Sequence, residues 1–198
     1  EAILPTLGGA DRELAMARIG WSILRAGDVR SARNYLGALK VTTAEADAER
    51  LSYLAMASIR ADDTGDAMRA LDQAARKNPR SPARLEALLA VGNYYFLKLN
   101  PGAYGPIYEQ CVISFRQEQK AGICGWRAAL AAYKRDRAAA ADLLRTHIRT
   151  FPSEEHVAGA LFHLGQIAER KGDWGSARVL YQDVEYSYAN YYYAYLSR

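Results

Sequence analysis

Residues 164–181 read LGQIAERKGDWGSARVLY, and this stretch decides the fold that the sequence predicts. A first helix ends at the Gly-Asp turn that begins at Gly172, because glycine and aspartate favour turns over helix interiors. A second helix then places Ala177 and Tyr181 four residues apart, on one face. Gly165, twelve residues before Ala177, offers a small surface at which the two helices can approach closely. The stretch therefore predicts a tightly packed helical hairpin.

The same pattern returns along the whole chain. The positions equivalent to Ala177 in the earlier copies are 32, 67, 107 and 140, so that successive copies are 35, 40, 33 and 37 residues apart. Periods in this range are typical of helical repeat proteins, in which each hairpin packs on its neighbours. Most copies have a small residue twelve positions before the anchor, and two have a proline, which stops a helix, twelve positions after it. These residues are Gly20, Ala55, Ala128 and Gly165, with Pro79 and Pro152.

The period and the small residues resemble the tetratricopeptide repeat (TPR), whose period is about 34 residues. The resemblance implies an all-α fold, an α-solenoid of about five TPR-like hairpins. We expect an irregular lead-in at residues 1–10, the repeat domain at residues 11–188, and the start of a further helix, leading toward another domain, at residues 189–198. The predicted hairpins cover residues 11–40, 44–78, 81–118, 121–151 and 153–188.

Local signals predict where several of these helices begin. Thr42 and Glu45 have the spacing of a capping box, in which two side chains bind the free backbone N–H groups of a helix start. Ser81 precedes Pro82, which suits a capping residue followed by a first-turn proline. The acidic pair that begins at Glu154 follows a Pro-Ser step and places negative charge at a helix N-terminus.

Composition and charge exclude several classes of protein. Half of the residues are hydrophobic and 24% are charged, which suits a globular chain with a core rather than a disordered one. The formal net charge is only +4 and the basic residues are scattered, so we expect no nucleic-acid partner. No run reaches the roughly 18 apolar residues that a transmembrane helix needs, and no signal peptide is visible at Glu1.

The sequence carries no recognisable catalytic motif. Its histidines are His147, His156 and His163, and the last two are seven residues apart and share a helical face. Neither belongs to an HExxH motif, and no carboxylate stands between them at ligand spacing, so we expect surface or groove histidines and neither a metal nor a cofactor. The position of Glu154 and Glu155 favours helix-start electrostatics over acid catalysis. We therefore expect that this chain itself is not an enzyme.

The two cysteines, Cys111 and Cys124, do not form a CxxC pair and have no ligand cluster around them. Two interpretations are open. They are buried thiols that act as small hydrophobic side chains, or they form a disulfide between neighbouring antiparallel helices, which requires an oxidising compartment.

The end of the chain carries a more specific resemblance. Residues 158–198 read AGALFHLGQIAERKGDWGSARVLYQDVEYSYANYYYAYLSR, and they resemble the last repeats of the α-superhelical region of bacterial soluble lytic transglycosylases. In that family a Leu-Gly start and a Gly-Asp turn lead through an aromatic-proline step to a helix of the Tyr-Tyr-Ala-Leu-Ala-Arg kind. Here the step is Tyr188-Ala189, without the proline, and the helix reads YYAYLSR.

This resemblance implies a non-catalytic scaffold that shapes access to peptidoglycan in the periplasm or cell envelope. It also implies a lysozyme-like catalytic domain downstream, which would be a partner beside the peptidoglycan strand. No catalytic residue of that domain has a counterpart in this sequence. The candidates for the interface with a following domain, with interhelical packing as their alternative role, are Tyr191, Tyr192, Tyr193 and Tyr195.

A general protein–protein interaction module of the TPR kind is the alternative function. Stacked hairpins form a groove that is lined by their first helices and binds a peptide or protein. The groove candidates are Arg25, Arg60, Asn93, Phe96, Tyr133, Gln166 and Arg170.

Overall fold

The computed structural model describes residues 6–136 and 139–198, and these residues form α-helices, a short 3-10 helix at Gln119–Ala121 and turns, without a strand. The predicted all-α, TPR-like fold class is confirmed. Two helices lie in each of the five predicted ranges. The first helix already starts at Gly9, inside the predicted lead-in, and residues 1–5 of that lead-in lie outside the described residues. The helices are α1 Gly9–Arg25, α2 Val29–Ala38, α3 Ala44–Arg60, α4 Thr64–Lys77, α5 Pro82–Leu97, α6 Pro101–Phe115, α7 Gly122–Arg135, α8 Ala140–Thr150, α9 Val157–Arg170, α10 Trp174–Ser187 and α11 Tyr192–Leu196.

The chain divides into two compact units. The first unit ends at Leu97 and contains α1 to α5, and the second runs from Lys98 to Arg198 and contains α6 to α11. In the first unit α3 is central, because it packs against α1, α2, α4 and α5. In the second unit each helix from α6 to α10 packs against the next, and α11 packs on α9 and α10.

Small residues allow the close approach of paired helices, as the repeat pattern predicts. A Cβ atom at Gly20 on α1 would lie 2.3 Å from the Leu36 side chain on α2. A Cβ atom at Gly165 on α9 would lie 2.4 Å from the Tyr181 ring on α10. Because real Cβ contacts are longer, these positions need glycine, and the large residue four beyond each anchor fills the space that glycine leaves.

Four of the second helices begin with the same cap. The side chain of an Asp or Asn in the turn accepts the backbone N–H three residues later, which satisfies one of the free donors at the helix start. The residue before this cap adopts a left-handed φ, a conformation that favours glycine. The capping residues are Asp28, Asp63, Asn100 and Asp173, and the residues with left-handed φ are Gly27, Asp62, Leu99 and Gly172.

The predicted capping box at Thr42 and Glu45 is wrong. Helix α3 begins after Thr43, whose side chain makes no cap hydrogen bond. The carboxylate of Glu13 on α1 takes the place of the box, since it accepts the backbone N–H and the hydroxyl of both threonines at 2.7–3.0 Å. These hydrogen bonds, led by the one from the Thr42 hydroxyl, lower the pKa of Glu13 to about 2. Glu45 accepts a hydrogen bond from the Asn78 side chain instead.

The start of α5 follows the prediction only in part. Pro82 is the first residue of the helix, where its missing N–H costs nothing. Ser81 does not cap through its side chain, because its buried hydroxyl makes no hydrogen bond. Its carbonyl oxygen accepts the N–H of Arg84 at 2.9 Å and so begins the helix ladder.

Candidate functional site

The predicted groove residues of the first unit lie on its three first helices, α1, α3 and α5. Arg25 is exposed at the end of α1. Arg60 ends α3 and donates a hydrogen bond from Nη1 to the carbonyl oxygen of Leu24 at 3.1 Å. On α5, Asn93 is exposed and Phe96 is half-buried. Arg60 thus serves the packing of α1 on α3, and its guanidinium is only partly available to a ligand.

The predicted groove residues of the second unit lie on α7 and α9. The structure brings Tyr133 and Gln166 together, because the tyrosine hydroxyl donates to Gln166 Oε1 at 2.8 Å. His163 Nδ1 lies 2.9 Å from the same oxygen, and its ring centroid is 4.5 Å from that of Tyr133. Arg170, one turn further along α9, is exposed. The polar atoms of Tyr133 and Gln166 therefore face each other and hold α7 to α9.

Rings fill the space between α7 and α9. Trp126 is buried and stacks on His156 at 5.3 Å and on His163 at 5.8 Å between centroids. Tyr193 of α11 meets Trp126 edge-on at 6.4 Å. Gly159 makes room for both, since a Cβ atom there would lie 2.7 Å from Tyr193 and 2.8 Å from Trp126. The only signal in the sequence for this arrangement is that Gly159, which has no side chain, lies one turn away from residues with large rings on the same helix face.

The C-terminal tyrosines therefore divide into two groups. Tyr193 is a correction to the predicted interface set, because its ring packs inward on Phe162, at 5.4 Å between centroids, and on Trp126. Ala194 beside it is fully buried. The side chains on the other face of α11 and in the turn before it are exposed. We call this face the C-terminal aromatic surface, and it consists of Tyr191, Tyr192, Tyr195 and Leu196.

A cavity adjoins the C-terminal aromatic surface. It has a volume of about 220 Å³, and Trp174, Tyr181 and Ser197 are among the residues that line it. Trp174 exposes about two thirds of its surface. Ser197 follows directly after Leu196, so the cavity places the exposed indole next to the end of α11.

A second cluster lies where α8 leads into α9. We call it the histidine–carboxylate cluster, and it consists of His147, Glu154, Glu155 and His156. Glu154 accepts the backbone N–H of His156 at 2.7 Å, which agrees with the predicted helix-start role. Its carboxylate also lies between two imidazoles, with Oε2 3.3 Å from His147 Nε2 and Oε1 2.8 Å from His156 Nδ1. Burial opposes the ionisation of Glu154, but the contacts with the two histidines outweigh it and lower its pKa to about 2.

The cluster changes the expectation for the histidines. His147 is fully buried, and neither of its ring nitrogens makes a hydrogen bond. His156 is half-buried against Trp126 rather than free in a groove. Sequence reasoning compared His156 with His163 on one helix, and it missed His147 because that residue belongs to the preceding helix.

The two cysteines are joined in the structure. Cys111 on α6 and Cys124 on α7 form a disulfide with a Cα–Cα distance of 6.1 Å, which is an ordinary separation for such a bond. Both side chains are fully buried. Of the two interpretations that the sequence left open, the structure has the cross-link between neighbouring helices.

The described helices include none with the length and apolar character that crossing a membrane requires.

Comparison with known proteins agrees with the helical repeat. A family profile described as tetratricopeptide repeat matches residues 159–191, which span α9 and α10. No curated protein matches the chain in sequence.

Solved structures are similar in fold. A double mutant of MamA RS-1 is 19% identical with a TM-score of 0.55, over 89% of this chain and 94% of its own. MamA of Desulfovibrio magneticus RS-1, from residue 41 to its end, is 19% identical with a TM-score of 0.53, over 90% and 97% of the two chains. A kinesin light chain of Podosopora anserina with nearly identical TPR-like repeats is 14% identical with a TM-score of 0.54, over 90% and 96%. At these identities the likeness concerns the fold, and the chain is an all-α protein of TPR-like helical repeats.

Proposed function

We propose that this chain is a non-catalytic scaffold that binds a protein partner through its C-terminal aromatic surface. The observation that carries the proposal is that α11 is anchored on one face and exposed on the other. Tyr193 and Ala194 fix the helix to the second unit, while Tyr192 and Tyr195 each expose more than two thirds of their surface.

An exposed group of large side chains on an anchored helix is a favourable surface for association. Contiguous exposed apolar patches mark interaction sites in soluble proteins, and tyrosine and tryptophan are enriched among the residues that dominate binding energy. Because α11 is already ordered, a partner would bury these rings without first ordering the backbone that carries them. Trp174 is also exposed, and it lines the cavity that Ser197, the residue after Leu196, lines as well.

The predicted groove is less suited to be the main contact. Tyr133 and Gln166 satisfy each other, and Arg60 binds a backbone carbonyl of its own unit. A ligand in the groove would have to break these contacts before it could make new ones. The C-terminal aromatic surface requires no such exchange.

Site-specific photo-crosslinking tests this proposal. A photoreactive phenylalanine analogue at Tyr192 or Tyr195 is expected to capture a discrete protein partner in cells of the source organism. The matched control is Val179, which is also exposed but lies outside the surface.

Quantitative binding to the identified partner then compares two variants. Tyr192→Ser with Tyr195→Ser is expected to lose binding, and the triple variant Arg25→Ala, Arg60→Ala, Arg170→Ala is expected to retain it. The opposite pattern would assign binding to the groove and contradict our proposal.

The finer form of this proposal names the partner. The sequence of residues 158–198 supports a following catalytic domain of a peptidoglycan-cleaving enzyme, in the periplasm or cell envelope. The mild positive charge of the chain suits the anionic peptidoglycan strand. Two measurements address this form: the reading frame beyond Arg198, and co-sedimentation of the chain with isolated sacculi. A frame without a lysozyme-like domain, together with no co-sedimentation, would remove the finer form and leave the protein-binding proposal in place.

A further inference from the structure

The histidine–carboxylate cluster has no role in the binding surface on α11, although it concentrates four ionisable side chains at the start of α9. We propose that this cluster binds a divalent transition-metal cation of the zinc class. Imidazole nitrogens and carboxylate oxygens are the ligands that Zn²⁺ takes in proteins beside cysteine. The cluster offers two of each.

The distances within the cluster suit a shared cation. Ligand atoms about 2.0–2.1 Å from a tetrahedral Zn²⁺ are roughly 3.3 Å apart. His147 Nε2 is 3.3 Å from Glu154 Oε2. His156 Nδ1 is 2.8 Å from Glu154 Oε1 and 3.8 Å from Glu155 Oε1. One ligand atom from each of Glu154, Glu155 and His156 can be chosen so that all three lie within 4.8 Å of one another. Glu154, Glu155 and His156 are therefore gathered at the spacing that a metal needs, and His147 adjoins them through Glu154 Oε2.

His147 is the second and independent observation that points to a ligand. Its side chain is 0% exposed, and its Nε2 faces the Glu154 carboxylate without completing a hydrogen bond. A buried polar atom without a partner is unfavourable by about 1–3 kcal/mol, so such atoms in native proteins need an explanation. A cation bound beside Glu154 would give the Nε2 lone pair a ligand bond in place of its imperfect contact with Glu154 Oε2.

Helix α7 is shaped to accept the two buried members of the cluster. A Cβ atom at Gly122 would lie 2.5 Å from Glu154 Cγ, and one at Gly125 would lie 2.9 Å from His147 Nδ1. These glycines are three residues apart and so face the same side of α7. The absence of side chains at Gly122 and Gly125 thus leaves the space in which Glu154 and His147 meet.

The charges and the access route also suit a cation. The two carboxylates of the cluster supply negative charge for a cation, and ionised carboxylate together with neutral imidazole is the state that binds metal. Glu155 exposes 77% of its side chain and connects the cluster to solvent. A cation can therefore reach Glu154 from the side of Glu155 without unfolding α9.

Calorimetric titration with ZnCl₂ tests the proposal on the full chain, without an affinity tag and after treatment with a chelator. We expect one Zn²⁺ per chain and a rise in melting temperature, because a cation that binds only the folded state stabilises it. Co²⁺ is expected to give visible absorption bands and to quench the emission of Trp126, which stacks on His156. His156→Ala is expected to weaken Zn²⁺ binding by at least about tenfold, as loss of even an outer partner of a metal ligand does.

The controls separate a metal site from a merely structural cluster. His163→Gln changes a histidine that also stacks on Trp126 but lies outside the cluster, and it is expected to keep wild-type affinity. If His156→Ala fails to fold, Glu155→Ala carries the test, because this side chain is exposed and its loss leaves the buried contacts intact. Equal Zn²⁺ affinity in wild type, His156→Ala and Glu155→Ala would overturn the proposal, as would the absence of any Zn²⁺ binding by the wild type.

Discussion

In the first unit, charged side chains and one stacked ring pair, Trp21 with Tyr53 at 5.2 Å, connect neighbouring helices, whereas in the second unit a disulfide and a larger group of packed rings connect them. Arg18 on α1 binds Glu49 on α3 through two hydrogen bonds, at 2.8 and 3.0 Å. In the second unit the equivalent space between first helices holds Trp126 and its neighbours. Other charged contacts between helices of the first unit include Arg33 with Asp63 and Asp66, and Asp47 with Lys77.

The comparison shows that the repeat pattern determines the backbone arrangement but does not determine which side-chain contacts connect neighbouring helices. Small residues at the same positions bring the paired helices together in both units, as Gly20 and Gly165 do. What fills the contact between successive first helices then differs. We expect the loss of a single charge between helices to affect the first unit most, and reduction of the disulfide to affect the second unit.

Reduction of the disulfide gives the largest expected effect and acts on the second unit only. The 13-residue separation between Cys111 and Cys124 corresponds to a loop whose cross-link contributes about 3 kcal/mol in the chain-entropy model. We expect reduction to lower the protection of α6 and α7 amides against hydrogen exchange, with α1 and α3 unchanged. Exchange measured peptide by peptide, with and without reductant, checks this. Equal loss of protection in both units would contradict the separate behaviour of the two.

The second-largest expected effect comes from added side-chain volume at Gly165. Gly165→Ala places a Cβ atom 2.4 Å from the Tyr181 ring, which is further restrained by its hydrogen bond to Glu169. Overpacking of this kind costs about 1–3 kcal/mol. The matched control is Gly175→Ala on α10, whose new Cβ meets nothing closer than 3.8 Å. Urea denaturation of the two variants gives the comparison, and an unchanged stability of Gly165→Ala would show that the ring can move aside.

Several of these features could be predicted from the sequence, because they depend on local pattern. The hairpins, the glycine contacts and the place of the turns follow from the spacing of residues such as Gly165 and Ala177. The role of Glu13 could not be predicted, because its carboxylate reaches Thr42 and Thr43 from another helix. The same applies to His147 and Glu154, which come together only when α8 folds back on α7 and positions the loop. The inward turn of Tyr193 depends on Gly159, 34 residues earlier in the chain.

Loss of the Arg18 side chain tests the charged connection of the first unit. Glu49 is almost fully buried, with 7% of its side chain exposed, and it also accepts a hydrogen bond from Tyr53. Arg18→Ala would leave this carboxylate without its bidentate partner, which costs about 1–2 kcal/mol. The double variant Arg18→Ala with Glu49→Gln is expected to recover part of the loss. A double-mutant cycle from urea denaturation measures the coupling, and additive effects would show that the pair contributes nothing to stability.

The smallest expected effect concerns Glu13, which is half-buried and acts through hydrogen bonds to the start of α3. Its pKa lies at about 2 in the folded chain, below the ordinary value of 4.5. A lowered folded-state pKa means that the contribution to stability is fully present above pH 4.5 and is lost as the pH falls toward 2. Glu13→Gln should therefore be less stable than wild type at pH 7, and the difference should shrink below pH 4. Because Glu13 connects α1 to the start of α3, the pH-dependent difference in protection against hydrogen exchange should be confined to the amides of these two helices. A difference in stability that does not change with pH would mean that the threonines bind the glutamine amide as well as they bind the carboxylate. The charge of Glu13 would then contribute nothing to the contact between α1 and α3.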